Sequence, residues 1–240
     1  MLSVCLLIAA YAPGFCQEKN LVQSILLKPK NGMVTQFEAA MKAHNVKYHS
    51  APGKTFVFQF ISGEKMGFYQ VAFPATSWAE MDNMKPNPAH QQDIETGIAP
   101  KLEVNEGWIF SRRIDSLSHG DQNWEIAKSR MTYWHIKRGK MQELASWIRK
   151  IKLVLDENKD PRNITVYSKL MAGSDGQFIL VTRYKDGWKE MEPNFYTPIK
   201  DLFIKAYSAA EWDSYVKLWD ECVEKEETYM RVFRPDLSSK

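Results

Sequence analysis

The sequence predicts an α+β protein in which one unit, read as strand, helix, strand, strand, helix, strand, is used twice and the two resulting sheets cover one another. Two observations carry this expectation. Gly63, Phe68, Val71, Trp78, Glu80, Met81 and Pro88 recur 110 residues on as Gly173, Phe178, Val181, Trp188, Glu190, Met191 and Pro198. A constant offset means that the matched stretch carries no insertion, so the halves share a backbone path and not only a composition. Strands such as Phe56-Val57-Phe58-Gln59-Phe60 and Phe178-Ile179-Leu180-Val181 are apolar at nearly every position, so both faces of each sheet want burial. Helices cover one face of such a sheet. A second sheet is the natural cover for the other.

The first unit spans residues 21–115. Val22 to Leu27 is an apolar run ended by Lys28-Pro29-Lys30-Asn31-Gly32, which predicts a strand and a turn. Met33, Phe37, Ala40, Met41 and Val46 then keep helical spacing. Thr55 to Ile61 and Met66 to Phe73 form a hairpin around Ser62-Gly63-Glu64-Lys65. Ser77-Trp78-Ala79-Glu80 has the pattern of a capping box, with Ser77 able to accept from the backbone and Glu80 able to reach back. It opens a helical region that Pro86 and Pro88 interrupt and that resumes as far as Leu102, and Trp108 to Ile114 closes the unit as a strand.

Residues 116–129 are polar, contain a glycine and read as a linker. The second unit, residues 130–236, repeats the order. Met131 to Ile136 is the strand, Arg138-Gly139 the turn, and Met141, Leu144, Ala145, Trp147, Ile148 and Ile151 one helix face. Ile164 to Met171 and Gln177 to Tyr184 form the hairpin, Trp188 opens the second helical region, and Tyr229 to Phe233 is the last strand. Matching Asp115 to Asp236 leaves this half about eleven residues longer, placed within Ile199 to Glu226 as longer or additional helix.

Residues 1–16 carry no charge and hold the run Val4-Cys5-Leu6-Leu7-Ile8-Ala9-Ala10 ahead of Pro13-Gly14. This pattern predicts a secretory signal cut before Gln17, although no Lys or Arg precedes the run. The mature chain is then expected in the periplasm or outside the cell. Only Cys222 remains in it, so the fold must rest on its core without an internal disulfide. The net charge of +3 is spread without a block of one sign, which gives no warrant for nucleic acid or an anionic membrane as partner. The leader falls short of a membrane span.

In its strand-turn-helix starts, Leu27 to Phe37 and Trp134 to Leu144, its two hairpins and its Trp78 and Trp188 helix starts, the chain resembles the dimeric α/β-barrel superfamily, in which two ferredoxin-like units pack sheet to sheet. That group includes antibiotic-biosynthesis-monooxygenase-like, EthD-like and NIPSNAP-like domains. The resemblance covers nearly all of the mature chain and implies a central cavity between sheets and helices, which in relatives holds a small aromatic molecule, a quinol or a haem. It carries over no catalytic residue, and the cofactor is left unknown.

Candidate chemistry comes from polar residues set in apolar strands. His135 lies on the first strand of the second unit beside Tyr133 and Trp134. An imidazole directed into the barrel is suited to act as base, hydrogen-bond partner or axial haem ligand, and His135 is the expected catalytic residue. Alternation puts Tyr133 and His135 on one sheet face and Trp134 on the other. Tyr133, Trp134, Gln59, Gln70, Arg183 and His49 are the expected ligand-binding residues, since a polar group within an apolar strand must find a partner. Each also has a structural reading, as an ordinary buried hydrogen bond, a loop residue or core.

No metal site is expected. His44 and His49 lie five apart, which is not the spacing that places two imidazoles on one helical face, and no cysteine pair accompanies them. His90 and His119 read as helix-surface and linker residues. There is no glycine-rich phosphate loop, no G-x-S-x-G and no H-E-x-x-H. The sequence therefore points to a secreted protein enclosing a small apolar or aromatic ligand between its sheets. Two alternatives stand beside it, a cofactor-independent or haem-dependent monooxygenase-like oxidoreductase and a non-catalytic interaction module with a filled core.

Overall fold

The computed structural model describes residues 20–49, 54–83, 85–171 and 176–239; the leader and most of the second hairpin turn, Gly173 included, lie outside the described residues. The first half contains β1 (Leu21–Pro29), α1 (Val34–Tyr48), β2 (Phe56–Phe60), β3 (Tyr69–Thr76), α2 (Trp78–Asp82), α3 (Pro88–Asp93), a π-helical turn (Ile94–Ile98) and β4 (Leu102–Arg113). The second contains β5 (Lys128–Ile136), α4 (Met141–Glu157), β6 (Asn163–Met171), β7 (Gln177–Tyr184), α5 (Ile199–Ala206), α6 (Ala209–Cys222) and β8 (Val223–Phe233). The longer second half spends its extra residues on α5 and α6. The Ser77–Glu80 capping box forms as expected, with both reciprocal bonds present.

Strands run in the order β1-β3-β2-β8-β5-β7-β6-β4 and close into a barrel. Each half supplies a ferredoxin-like sheet of four antiparallel strands, and the β2–β8 and β4–β6 pairings join the two sheets at both edges. In the closed barrel every strand has a neighbouring strand on each side. Helices α1 and α4 pack outside their own half.

The hairpin repeat is one residue out of the spacing read from the sequence. Leu27 of β1 pairs with Tyr69 of β3, and at the corresponding place Trp134 of β5 pairs with Phe178 of β7. Tyr69 thus corresponds to Phe178, an offset of 109 residues. Because side chains alternate with a period of two, the slip reverses every face. Phe68 joins the barrel interior while Phe178 faces helices, and Val71 faces helices while Val181 lies inside. The extra residue is taken up between β7 and Trp188, which restores the 110 spacing at the helix starts.

Two strands begin earlier than expected, β4 at Leu102 and β8 at Val223. Their first halves, Leu102-Glu103-Val104-Asn105-Glu106 and Val223-Glu224-Lys225-Glu226-Glu227, carry the charge of a solvated helix. They form the barrel's rim, where water meets those side chains.

Inside the barrel, Leu26, Phe60, Phe68, Ile179 and Tyr229 pack together, and the space left is only about 30 Å³. Trp124, from the connecting segment, plugs one end with its ring 5.6 Å from Phe56 and 6.5 Å from Tyr167. The segment read as a linker is therefore part of the packing, and His119 within it is 8% exposed. Larger spaces lie outside the barrel wall, between each sheet and its helices. The sheet-helix cavity of the second half measures about 240 Å³ and that of the first about 110 Å³.

Gly63, in the turn before β3, lacks a side chain for two reasons. Its φ is +63°, and a Cβ there would sit 3.1 Å from the Tyr229 ring.

Candidate metal centre

Helix α1 buries Phe37, Met41, His44 and Asn45, the i, i+4, i+7, i+8 stripe that faces the sheet. Two of the four are polar. Asn45 is satisfied by donating from Nδ2 to the Leu237 carbonyl at 2.7 Å. His44, 4% exposed, donates from Nδ1 to Asp93 Oδ2 at 2.7 Å, which leaves the lone pair on Nε2. His49 caps α1 in a non-helical conformation, φ −124° and ψ 41°, so its ring returns toward His44 although the two are not one helical turn apart.

The third ring arrives from α3. Pro88 begins that helix and Asn87 caps it, accepting the backbone N–H of His90 at 3.1 Å. This seats His90 in the first turn with Asp93 three residues on, one face of a helix. His49 Nε2 lies 3.3 Å from His44 Nε2 and 3.2 Å from His90 Nε2, and one nitrogen of each ring lies within 4.8 Å of the others.

Protons alone serve this arrangement poorly. With His44 Nδ1 donating to Asp93, His44 Nε2 can only accept, and the single position on His49 Nε2 cannot be both a donor to His44 and an acceptor from His90. A cation at the centre satisfies all three lone pairs. Zinc–imidazole bonds of about 2.0–2.1 Å in tetrahedral geometry place neighbouring nitrogens roughly 3.3 Å apart, which matches the two spacings. Burial, followed by the charges of His44 and His90, pushes the His49 imidazole down to about 4, and burial also lowers His90. Both rings are thus neutral ligands at neutral pH. The Asp93 carboxylate behind His44 is the carboxylate–histidine–metal arrangement that fixes tautomer and orientation.

All three histidines line the 110 Å³ cavity of the first half, whose floor is apolar: Ile25, Val71, Phe73, Ile98 and Trp108. His49 and His90 also border an open cleft with Tyr48, Lys85 and Gln91. The centre stands between a largely apolar cavity and an open cleft. Three protein ligands with a free side are the pattern of a reactive rather than a structural zinc site.

The expectation of no metal site and of a surface role for His90 rested on neighbours in the chain. The fold brings the three rings together all the same, because the third comes from a helix 41 residues beyond His49, and His90 is packed against the other two. His49, expected to bind a ligand, belongs to this cluster. The other expected residues fall elsewhere. Tyr133 and His135 share the barrel face as alternation requires, and Trp134 takes the helix side, donating to Glu226 and meeting the Trp219 ring at 6.3 Å. Gln70 and Arg183 also point into the barrel, whereas Gln59 lies outside it and accepts from Arg234 at 3.0 Å.

A haem does not fit the residues present. His135 Nε2 is held by Glu227 at 2.6 Å, at the rim of an interior with about 30 Å³ of space. In the second-half cavity the histidine is His119, and both its nitrogens are occupied, by Asp156 at 2.6 Å and the Asp160 carbonyl at 2.8 Å.

Comparison with known proteins gives the fold independently. No protein-family model matches the chain. No curated protein matches it either. Solved structures do. A candidate monooxygenase from Lactobacillus acidophilus is 12% identical with a TM-score of 0.55, covering 92% of this chain and 96% of its own. Chlorite dismutase from Candidatus Nitrospira defluvii, in complex with imidazole, is 6% identical with a TM-score of 0.51, covering 92% and 93%. A haem-binding protein from Thermus thermophilus is 8% identical with a TM-score of 0.51, covering 91% and 92%. Barrel closure, strand order and these likenesses agree that the protein has the dimeric α/β-barrel fold, with both ferredoxin-like units in one chain.

Proposed function

We propose that this protein holds a divalent transition-metal ion on His44, His49 and His90 and uses its open side, beside the apolar sheet-helix cavity, to bind and act on a small apolar or aromatic molecule. The observation that carries the reading is that His49 Nε2 lies 3.2–3.3 Å from the Nε2 atoms of both His90 and His44, with the three rings' nitrogens within 4.8 Å of one another and Asp93 behind His44. Imidazole-only sites suit zinc, copper, iron and nickel. Such an ion polarises a bound oxygen and, in the case of zinc, brings the pKa of bound water near 7. The protein's own part is to orient the rings through Asp93 and Asn87 and to line one wall with the buried side chains of Val71 and Ile98.

The ligand is thereby moved from between the sheets, where the interior is filled, to between sheet and helices. An oxidoreductase is the reaction class to try first, a reading supported by structural neighbours described as a monooxygenase and a haem-binding protein. We also place the mature protein outside the cytoplasm, a reading that rests on the uncharged apolar leader.

Metal content decides the matter. Full-length mature protein dialysed against zinc, cobalt, copper, nickel or ferrous iron and then against metal-free buffer should retain one ion per chain. His49→Ala and His90→Ala should lose it while keeping the wild-type far-ultraviolet circular dichroism. Retention of less than a tenth of an equivalent of every ion by the wild type would sink the reading.

A further inference from the structure

Two arginines stand where charge is most expensive. Arg183 on β7 and Arg231 on β8 are 3% and 2% exposed and both point into the barrel. Each is paired in register with Ser129 of β5, so their backbones lie two strand spacings, roughly 10 Å, apart in one layer. Isolated buried charges are strongly disfavoured unless something compensates them.

The partners around them are neutral. Arg231 donates from Nε to Ser129 Oγ at 3.0 Å and from Nη1 to Gln70 Oε1, and its guanidinium lies 4.1 Å from the centre of the Phe58 ring. Arg183 donates from Nη1 to Thr165 Oγ1 at 2.6 Å and rests 5.5 Å from the Trp124 ring. Its Nη2 is buried and has no hydrogen-bond partner. Among the described residues neither arginine forms an ion pair with a carboxylate. Burial, and then the charge of Arg183, hold the Arg231 guanidinium down at about 10, as expected of a cation without a counter-ion.

Beside them is space. The 30 Å³ left in the barrel is bordered by Arg231, Gln70, Trp124, Tyr167 and the hydroxyls of Ser24 and Ser111. That volume holds one or two waters, or one halide ion. It does not hold an acid of several carbon atoms. Hydroxyl and guanidinium donors meet there, and no carboxylate borders it.

We propose that the barrel interior binds one small monovalent anion of chloride size beside Arg231, with the uncompensated charge of Arg183 close by, as a structural ion. The space is lined by Ser24, Gln70 and Ser111 from the first half and by Arg231 from the second, with Arg183 against the Trp124 ring. Occupancy therefore ties the two ferredoxin-like units together from within. It is independent of the histidine cluster, which lies outside the barrel wall.

Wild-type mature protein exchanged into sodium gluconate should gain thermal stability on titration with sodium chloride at constant ionic strength. The rise is saturable and amounts to roughly 4–8 °C. Sodium bromide should act alike, and crystals grown in it should show an anomalous peak in the barrel beside the Arg231 guanidinium. Arg183→Met should remove the halide dependence, and Ser111→Ala, a milder change, should weaken it at least threefold in apparent affinity. Equal melting in chloride and gluconate together with no bromide in the barrel would overturn the proposal, whether or not Arg183→Met folds. A halide dependence that survives unchanged in Ser111→Ala and in every folded Arg183 variant would overturn it as well.

Discussion

Asp93 separates a metal-binding cluster from three histidines that only share a surface. Its carboxylate receives the His44 Nδ1–H at 2.7 Å and is 32% exposed, with Lys47 Nζ 3.8 Å away. It does two things to a bound ion. By accepting the proton it keeps His44 Nε2 free, and by its charge it makes the imidazole more basic. Asp93→Asn keeps an acceptor for Nδ1–H and loses the charge, whereas Asp93→Ala loses both. Outer partners of this kind are worth about 10–100-fold in metal affinity, or roughly 1.4–2.7 kcal/mol. Since Asp93 is partly exposed and shared with Lys47, solvent weakens the charge contribution. Asp93→Asn should then cost about 10-fold and Asp93→Ala nearer 100-fold. Competition with a chromogenic zinc chelator near pH 7.5 measures both, and a cobalt-substituted sample reports the geometry through its visible absorption. If neither variant changes affinity by more than twofold, Asp93 does not act through His44 on a metal, and the ligand assignment fails with it.

Other consequences are independent of the metal. Phe203 is fully buried on α5 against Trp147, Trp212 and Tyr215; Phe203→Ala should cost about 3–5 kcal/mol by urea denaturation, and a loss below about 1 kcal/mol would show that the added helices of the second half are not cooperative with the barrel. Gly63→Ala should cost about 1–2 kcal/mol, from a positive φ and the Tyr229 contact, and an unchanged midpoint would show that the turn relaxes. Glu227 gives the pH dependence. Burial alone would raise its carboxyl, but hydrogen bonds from Lys225 and His135 outweigh burial and hold it at about 2. Its contribution is complete above the ordinary value of 4.5 and is lost as pH falls from there to about 2. Wild type should lose about 1 kcal/mol more than Glu227→Gln across that window, given the group's exposure to solvent; parallel acid limbs would count against the His135–Glu227 pair.

The repeat, the element order and the two-sheet architecture were legible because they are written in local patterns: apolar runs, turn residues, a capping box. Register was not. An offset of 110 matched the tryptophans and glycines while the strands between them differ by one residue, and identity scoring cannot see which face a side chain takes. The early starts of β4 and β8 were hidden by glutamates that belong to a solvated rim. For the metal centre the missing information was tertiary. His44 and His49 do not share a helical face, and they meet because His49 leaves the helix. Two signals did exist. His44 continues the buried stripe of Phe37 and Met41, where a histidine needs a reason, and His90 with Asp93 makes a histidine-carboxylate pair at helical spacing behind an Asn87-Pro88 start.

Duplication itself explains why the centre occurs once. β1 with α1 and β5 with α4 correspond at 107 residues, so His44 is answered by Ile151 and His49 by Asp156. Ile151 lines the sheet-helix cavity of the second half as His44 lines that of the first. Both halves therefore have a cavity at the same place in the fold, between the outer sheet face and the long helix. In the second half the position is apolar, the nearby acid Asp156 engages His119 and Lys152, and the cavity is larger, about 240 Å³ against 110 Å³. In the first half the same position carries imidazole, and the π-helical turn Ile94–Ile98 closes over a smaller space. A structural role would serve both copies alike. One copy gathers three imidazoles with a carboxylate behind them while the other keeps an apolar side chain at that place, the asymmetry expected if the proposed metal chemistry belongs to the first half alone.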